Sequence, residues 1–322
     1  MPRPRHLLAA ACALALLALP SPAGAQAGCT VTVSPGASVQ ALVDRLLPGQ
    51  TGCLKPGVYE GRVIFKRGGT ATERVTLRAT TPRAATIRGQ LRINDGANFV
   101  TVSGLRLDGT NAEIRSSPLI NGDDARFAGN EVTSEVETCF ALGDKVWGVA
   151  DRTVITGNDI HHCGVDGTNM DHGIYVREAR DTRIEGNVIR SNPDRGVQLF
   201  PNADRTLVRG NVIDANGVGV IFSGDSDDTS DDNVVERNVI TFSDLRHDVE
   251  SYWWLGLVGH GNVVRRNCVF GGERGAIQPA GAGFTAVDNT VANPGFTVRE
   301  GPAYRLSRLS RGSPCRVALP KL

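Results

Sequence analysis

Two segments of the chain align without a gap: Asn169-Met170-Asp171-His172-Gly173-Ile174-Tyr175-Val176 and Asn192-Pro193-Asp194-Arg195-Gly196-Val197-Gln198-Leu199. The alignment sets His172 against Arg195 and Tyr175 against Gln198, with Asp171 and Asp194 just ahead of them. A weaker copy, Glu137-Thr138-Cys139-Phe140, puts Glu137 in the same acidic slot. A base next to a fixed cation suits one kind of chemistry, removal of a proton beside a carboxylate. The base takes the proton and the positive charge holds the developing enolate. His172 or Tyr175 would be the base. Arg195, or a Ca²⁺ held by Asp171, Asp194 and Glu137, would neutralise the negative charge. The plain alternative is that these are salt-bridged turn residues, since an Asp ahead of a tight turn accepts backbone hydrogen bonds.

Such groups act together only if the fold stacks them, and a repeat supplies the stacking. A phrase of β-favouring residues, a small residue, Asn and then apolar-x occurs as Phe127-Ala128-Gly129-Asn130-Glu131-Val132 and Ile155-Thr156-Gly157-Asn158-Asp159-Ile160. It returns as Ile184-Glu185-Gly186-Asn187-Val188-Ile189 and Val208-Arg209-Gly210-Asn211-Val212-Ile213. Weaker copies carry Asn238, Asn267 and Asn289, and one ahead of the series has Leu105 in the Asn slot. Spacings run from 22 to 29 residues, the range of a solenoid. Apolar and polar residues alternate with period 2, so the units are strands. Each repeat is expected to form one coil of three short strands, with coils stacked about 4.8 Å apart in parallel sheets. Equivalent residues then lie above one another, and the asparagines form a ladder that holds the turn. Alternation points Ile174, Val176, Val197 and Leu199 inward and Tyr175 and Gln198 outward. Val39, Leu42, Val43 and Leu46 share one helical face over 38–47, with Ser38 as cap and Pro48-Gly49 as stop. That short helix would plug the open end of an otherwise all-β solenoid.

The chain has 322 residues, of which 40% are hydrophobic and 21% charged, enough to bury a core. Lys occurs at four positions and the formal net charge is +1, which argues against a polybasic nucleic-acid binder. Residues 1–27 read as a secretory signal peptide: Arg3 and Arg5, an apolar run from Leu7 to Leu19 too short to span a bilayer, and Ala25-Gln26-Ala27 for cleavage. The remainder, 28–322, is expected to be one exported domain, secreted, without a membrane span and monomeric. Six cysteines remain after cleavage, and export favours three disulfides.

The Gly-Asn-x-Ile phrases, Leu54-Lys55-Pro56-Gly57-Val58-Tyr59-Glu60-Gly61 and Asp171-His172-Gly173-Ile174-Tyr175-Val176 resemble the right-handed parallel β-helix proteins of the pectin-lyase-like superfamily. The resemblance implies a right-handed parallel β-helix acting on extracellular carbohydrate. It names no reaction, since this fold carries lyases, hydrolases, epimerases, esterases and inert fibres. The patch is similar to that of β-helix polysaccharide lyases, which set a basic side chain and an Arg or Ca²⁺ on neighbouring coils, but it contains no Lys. With a coil of about this length, Cys139 and Cys163 could bridge neighbouring coils, Cys29 and Cys53 fasten the N-terminal cap, and Cys268 and Cys315 the C-terminal one.

The function expected is therefore a secreted polyuronate lyase or epimerase-like enzyme acting on acidic polysaccharide, with His172, Tyr175 and Arg195 catalytic and Gln198 contacting substrate. The rivals are a non-catalytic glycan-binding or adhesion module, and a glycoside hydrolase in which Asp171 and Asp194 flank the bond. Arg246 to Trp254 breaks the repeat, and Trp253 is the expected sugar platform, with one of Trp253 and Trp254 filling the core instead. His161, His162 and His260 read as turn or core histidines. Asp225 to Asp232 reads as a solvated loop, since it lacks the glycine and bidentate glutamate of a calcium loop.

Overall fold

The computed structural model describes residues 28–279, 282–297 and 309–317; the expected signal peptide lies outside them. Three parallel sheets of 11, 8 and 10 strands wrap around one core, and successive strands of each sheet belong to successive coils. This is the all-β parallel solenoid expected from the repeat.

The ladder is present. Asn130, Asn158, Asn187, Asn211, Asn238 and Asn267 each pass a hydrogen bond along the column, Nδ2 to the next Oδ1, at 2.9–3.0 Å, and Asn289 ends it as the last acceptor. Each amide is also tied to the backbone. Asn187 Nδ2 donates to Ile155 O at 2.9 Å, and its own N–H donates to Asn211 Oδ1 at 2.8 Å. Leu105 holds the slot ahead of the column, and its N–H donates to Asn130 Oδ1 at 3.0 Å. The residue before each Asn is left-handed. Gly129, Gly157, Gly186 and Gly210 have φ of 64–67°, and Arg237, Arg266 and Asp288 take φ of 54–55° where the glycine is missing. Glycine recurs there because it alone meets that φ without a Cβ penalty.

A second, shorter column follows the next corner. Asn192 Oδ1 accepts from Cys163 N and Asn216 Oδ1 from Asn192 N. One coil on, Ser243 takes the slot, and Asp248 of the same coil supplies the acceptor for Ser243 N at 3.1 Å. Gly272 N also donates to Asp248, at 3.3 Å. Burial pushes the Asp248 carboxyl up to about 7.

The inner faces pack as alternation requires. Phe140, Ile174, Val197, Val220 and Val249 form one fully buried column of register partners. Among the described residues no helix is long and apolar enough to cross a membrane. The capping helix spans Val39–Val43, shorter than the expected 38–47. Beyond Asp44 the bonds tighten to i→i+3, Arg45 N to Leu42 O and Leu46 N to Val43 O, and the segment ends as turns. Ser38 caps it by accepting from Ala41 N at 3.1 Å. Gln40 covers the edge strand Val63–Phe65: its Oε1 accepts from Ile64 N and its Nε2 donates to Ile64 O. The first strand's backbone groups are thereby paired with a side chain instead of being offered to another chain.

All three disulfides join the expected pairs, Cys29–Cys53, Cys139–Cys163 and Cys268–Cys315. The last holds the segment 309–317 against the solenoid, where Leu309 and Cys315 bury with Val239 and Cys268.

Two stability predictions follow from the columns. Asn187→Ala leaves buried ladder groups without partners, which costs about 1–3 kcal/mol, whereas Asn289→Ala at the half-exposed end of the ladder costs less. Denaturant unfolding that gave equal losses for both would contradict a load carried by the interior rungs. For Asp248 the folded pKa is raised, so the folded state holds the extra proton and the stability this confers is lost as pH rises through about 7. Asp248→Asn removes the titration, so the wild type should lose melting temperature between pH 4 and pH 8 and the variant should lose less over the same range.

Candidate active site

The eight-stranded sheet positions the candidate residues. Its strands His172–Arg180, Arg195–Asp204, Val218–Gly224 and Val249–Trp253 come from four consecutive coils. Register pairs His172 with Arg195, and Tyr175 with Gln198, Ile221 and Glu250 in turn. The outward side chains of these strands floor a cleft of about 330 Å³ that includes His172, Tyr175, Arg195, Gln198, Tyr252 and Trp254. Four of the five sequence-predicted catalytic or contact residues, His172, Tyr175, Arg195 and Gln198, thus line the cleft, and Asp194, expected as a metal ligand, lies directly behind them.

His172 is fully enclosed by protein except on the cleft side. Its Nδ1 lies 3.2 Å from Asp194 Oδ2. The N–H direction is off-axis, since Nδ1 makes no hydrogen bond of good geometry, so the contact is chiefly electrostatic. Burial lowers the His172 pKa, and the Asp194 carboxylate pulls the other way; the imidazole is a neutral base near pH 7. The Tyr175 ring stands edge-on to it at 5.0 Å between centroids, and burial pushes the Tyr175 phenol up to about 12. Tyr175 therefore keeps its proton at neutral pH and can give it away.

Arg195 is directed at protein groups. Its guanidinium pairs with Asp194 and donates to Asn169 O and Asn169 Oδ1, both at 3.0 Å. Asn169 rides on the loop 164–170, and that loop is anchored twice. Cys163 at its base is disulfide-bonded to Cys139, and Asp171 Oδ2 accepts from Val165 N at 2.8 Å and Thr168 Oγ1 at 2.9 Å. Gly164, at φ 100°, lets the chain pass so close that a Cβ there would meet the Asp171 side chain at 1.9 Å.

The three expected metal ligands do not converge. Asp171 is committed to its loop, Glu137 Oε1 accepts from Thr138 N at 2.9 Å, and Asp194 is matched by Arg195 and His172. Glu137 does approach Asp171, and burial with that neighbouring carboxylate raises its pKa. Among the described residues no group of three or more His, Cys, Asp or Glu is placed to hold a metal ion. A Ca²⁺ site calls for six to eight oxygens around one point, and this set does not fit one. The same commitments leave Asp171 and Asp194 unsuited as a pair flanking a glycosidic bond.

Trp253 is displaced from the role expected of it. It points inward, packs against the core and donates from Nε1 to Ala282 O at 2.8 Å. Alternation along Val249–Trp253 turns Tyr252 outward instead, and Trp254 follows as the strand ends. Tyr252 and Trp254 are 56% and 57% exposed at the cleft rim. Phe200, stacked on Tyr175 with centroids 6.4 Å apart, and Met170 were also missed. Phe200 was legible, two residues beyond Gln198 and so on the same outward face. The other histidines lie elsewhere. His162 is a left-handed turn residue bonded ring to ring with His161, and His260 is exposed 3.6 Å from Asp231.

Residues 92–293 match the family described as "Right handed beta helix region", and the chain belongs to that family. Among solved structures it is similar to the pectate lyase Pel9A, with a TM-score of 0.60 and 14% identity over 90% of this chain and 91% of that one. It is also similar to the PL6 family alginate lyase AlyGC, with a TM-score of 0.50 and 15% identity over 77% of this chain and 40% of that one. At these identities the likeness is one of fold. No curated protein sequence matches the chain.

The electrostatics of the dyad give a direct prediction. At pH 6.5, where free imidazole is half protonated, His172 should be mainly neutral in an NMR titration. Asp194→Asn removes the opposing pull and should lower its midpoint further. A wild-type midpoint above 6.5 would overturn the neutral-base assignment.

Proposed function

We propose that the protein is a secreted enzyme that abstracts the proton beside the carboxyl group of a uronic sugar unit, the step common to polysaccharide lyases and C5 epimerases, and that it completes the lyase reaction. The observation that carries this reading is the neutral, enclosed His172 backed by Asp194 and flanked by the protonated Tyr175, on the floor of an aromatic-rimmed cleft. The fold shared with a pectate lyase and an alginate lyase supports carbohydrate as the ligand. Three disulfides fit the oxidising compartment that an exported protein meets.

In the proposed reaction the His172 nitrogen turned away from Asp194 bonds the C5 proton. The C5–H electron pair becomes the C4=C5 double bond, and the C4–O bond breaks with its pair left on the glycosidic oxygen. Tyr175 gives its proton to that oxygen and regains one from water, while the imidazolium returns its proton to solvent. Arg195 acts through Asn169 and Asp194, fixing the loop and the carboxylate that orients the imidazole. Tyr252 and Trp254 offer flat faces to sugar rings, and the Gln198 amide faces their hydroxyls.

The test is the ultraviolet absorbance of unsaturated uronates on a panel of polyuronates, with oligosaccharide products analysed in parallel. Activity should be present in wild type and fall by about 10²-fold or more in His172→Gln, with unchanged circular dichroism. Trp254→Ala should raise KM more than it lowers kcat. Full activity in His172→Gln would remove the base from this site, and a purified protein that binds glycans without any turnover would favour the non-catalytic module.

A further inference from the structure

The outer face of the eleven-stranded sheet carries a groove of about 500 Å³, one sheet away from the cleft. Arg78, Thr101, Ser103, Arg126 and Thr156 line it, and they come from four successive coils. Register sets Arg78 beside Ser103 and Thr101 beside Arg126. The two arginines are therefore two coils apart, about 10 Å along the axis, with two hydroxyls on the strand between them. Arg126 is exposed and has no carboxylate partner among the described residues. Arg78 reaches back to Cys29 Sγ, 3.5 Å from its Nη2. Two more arginines stand at the corners of the sheet. Arg74 donates from Nε to Thr101 Oγ1 at 2.8 Å, and Arg83 donates from Nε to Gly129 O at 3.1 Å.

Positive charge is in excess here. Among the described residues no Asp or Glu lines the groove, and the carboxylates around it are matched elsewhere. Glu185, one coil beyond Thr156, pairs with Arg183 and Arg209. Asp123 and Asp124 pair with Arg152, and Glu131 with Arg106. Glu73, next to Arg74 in the chain, lies beside Gly49. Burial, and then the charge of Arg126, lower the Arg74 pKa against the pull of Asp124. Like charges thus face each other across the Thr101 strand, and an oxyanion set among them would relieve the repulsion. Guanidinium groups match carboxylate and sulfate oxygens in planar forks, and the hydroxyls suit the oxygens that remain. A lone inorganic anion cannot span two cations about 10 Å apart, whereas a chain with repeated anionic groups can. The apolar side chains of the groove are Ala79, Ala128 and Pro82. They offer no ring for a nucleic-acid base to stack on and nothing long enough to insert into a membrane.

We infer that this groove is a second glycan-binding site, apart from the cleft, that holds the carboxylate or sulfate groups of an acidic polysaccharide through Arg78 and Arg126. The inference concerns binding alone and does not rest on the elimination reading, so a protein without turnover that binds in this way leaves it standing. Calorimetry on the mature chain, with Trp254→Ala added to weaken the cleft, measures binding of oligogalacturonate as the carboxylate source and of dextran sulfate as the sulfate source. At least one of the two should bind, and more weakly as salt is raised. Arg78→Gln with Arg126→Gln should raise that Kd at least about tenfold. Arg126 is exposed, so Arg126→Gln alone keeps the test open should the double variant fail to fold; it should raise Kd by a smaller factor, and Arg126→Lys should recover part of the loss. Binding of neither glycan, or a Kd that the arginine variants leave unchanged, overturns the inference. Binding of a single-stranded DNA of equal charge as tightly as the better glycan also overturns it, by assigning the groove to polyanions at large.

Discussion

The structure depends on one interaction repeated coil after coil, the side-chain amide of an asparagine bonded to the next asparagine and to the neighbouring backbone. Parallel strands alone do not say which residue of one coil sits above which residue of the next. The amide column does, because each rung has one acceptor and one donor in reach and both are buried. A slip by one residue would break every rung and send the inward apolar column outward. Register fixed in this way at one corner is inherited by the other two sheets, and it is what brings His172 over Arg195 and Tyr175 over Gln198.

From that register the site is assembled largely by commitments made outside the cleft. The disulfide at Cys163 and the Asp171 carboxylate hold the loop that carries Asn169. Asn169 holds Arg195, Arg195 holds Asp194, and Asp194 faces the imidazole. Each link joins charged or polar groups within the protein, and the cleft floor presents a ligand with His172, Tyr175 and Gln198, with Arg195 beside them. Such a site is preorganised at the cost of most of its formal charge.

The fold was legible in the sequence because the Asn phrases recur with their left-handed glycine and alternate with period 2, a local signal repeated often enough to fix register. The pairing of His172 with Arg195 was legible for the same reason. What was not legible is where charge is spent. Asp171, Asp194 and Glu137 stand in one slot of the alignment, yet Asp171 serves the loop 164–170, which has no counterpart in the next coil, and Asp194 serves Arg195. A column of like residues suggested a shared ligand, and the non-repeating loop between them divided it. Trp253 and Trp254 show the same limit at finer grain. Alternation assigns one inward and one outward, but only the position where the Val249–Trp253 strand ends decides which.

The cleft runs along the solenoid axis, from His172 on one coil to Tyr252 and Trp254 three coils further on. Its length is therefore quantised. Inserting or deleting one whole coil between these residues would leave the amide column intact and shift base and aromatic rim apart or together by one step of about 4.8 Å. Any shorter insertion would have to bulge out as a loop. A protein built this way can change the span between its chemistry and its sugar-stacking rim only in whole steps, as a ruler is read from mark to mark.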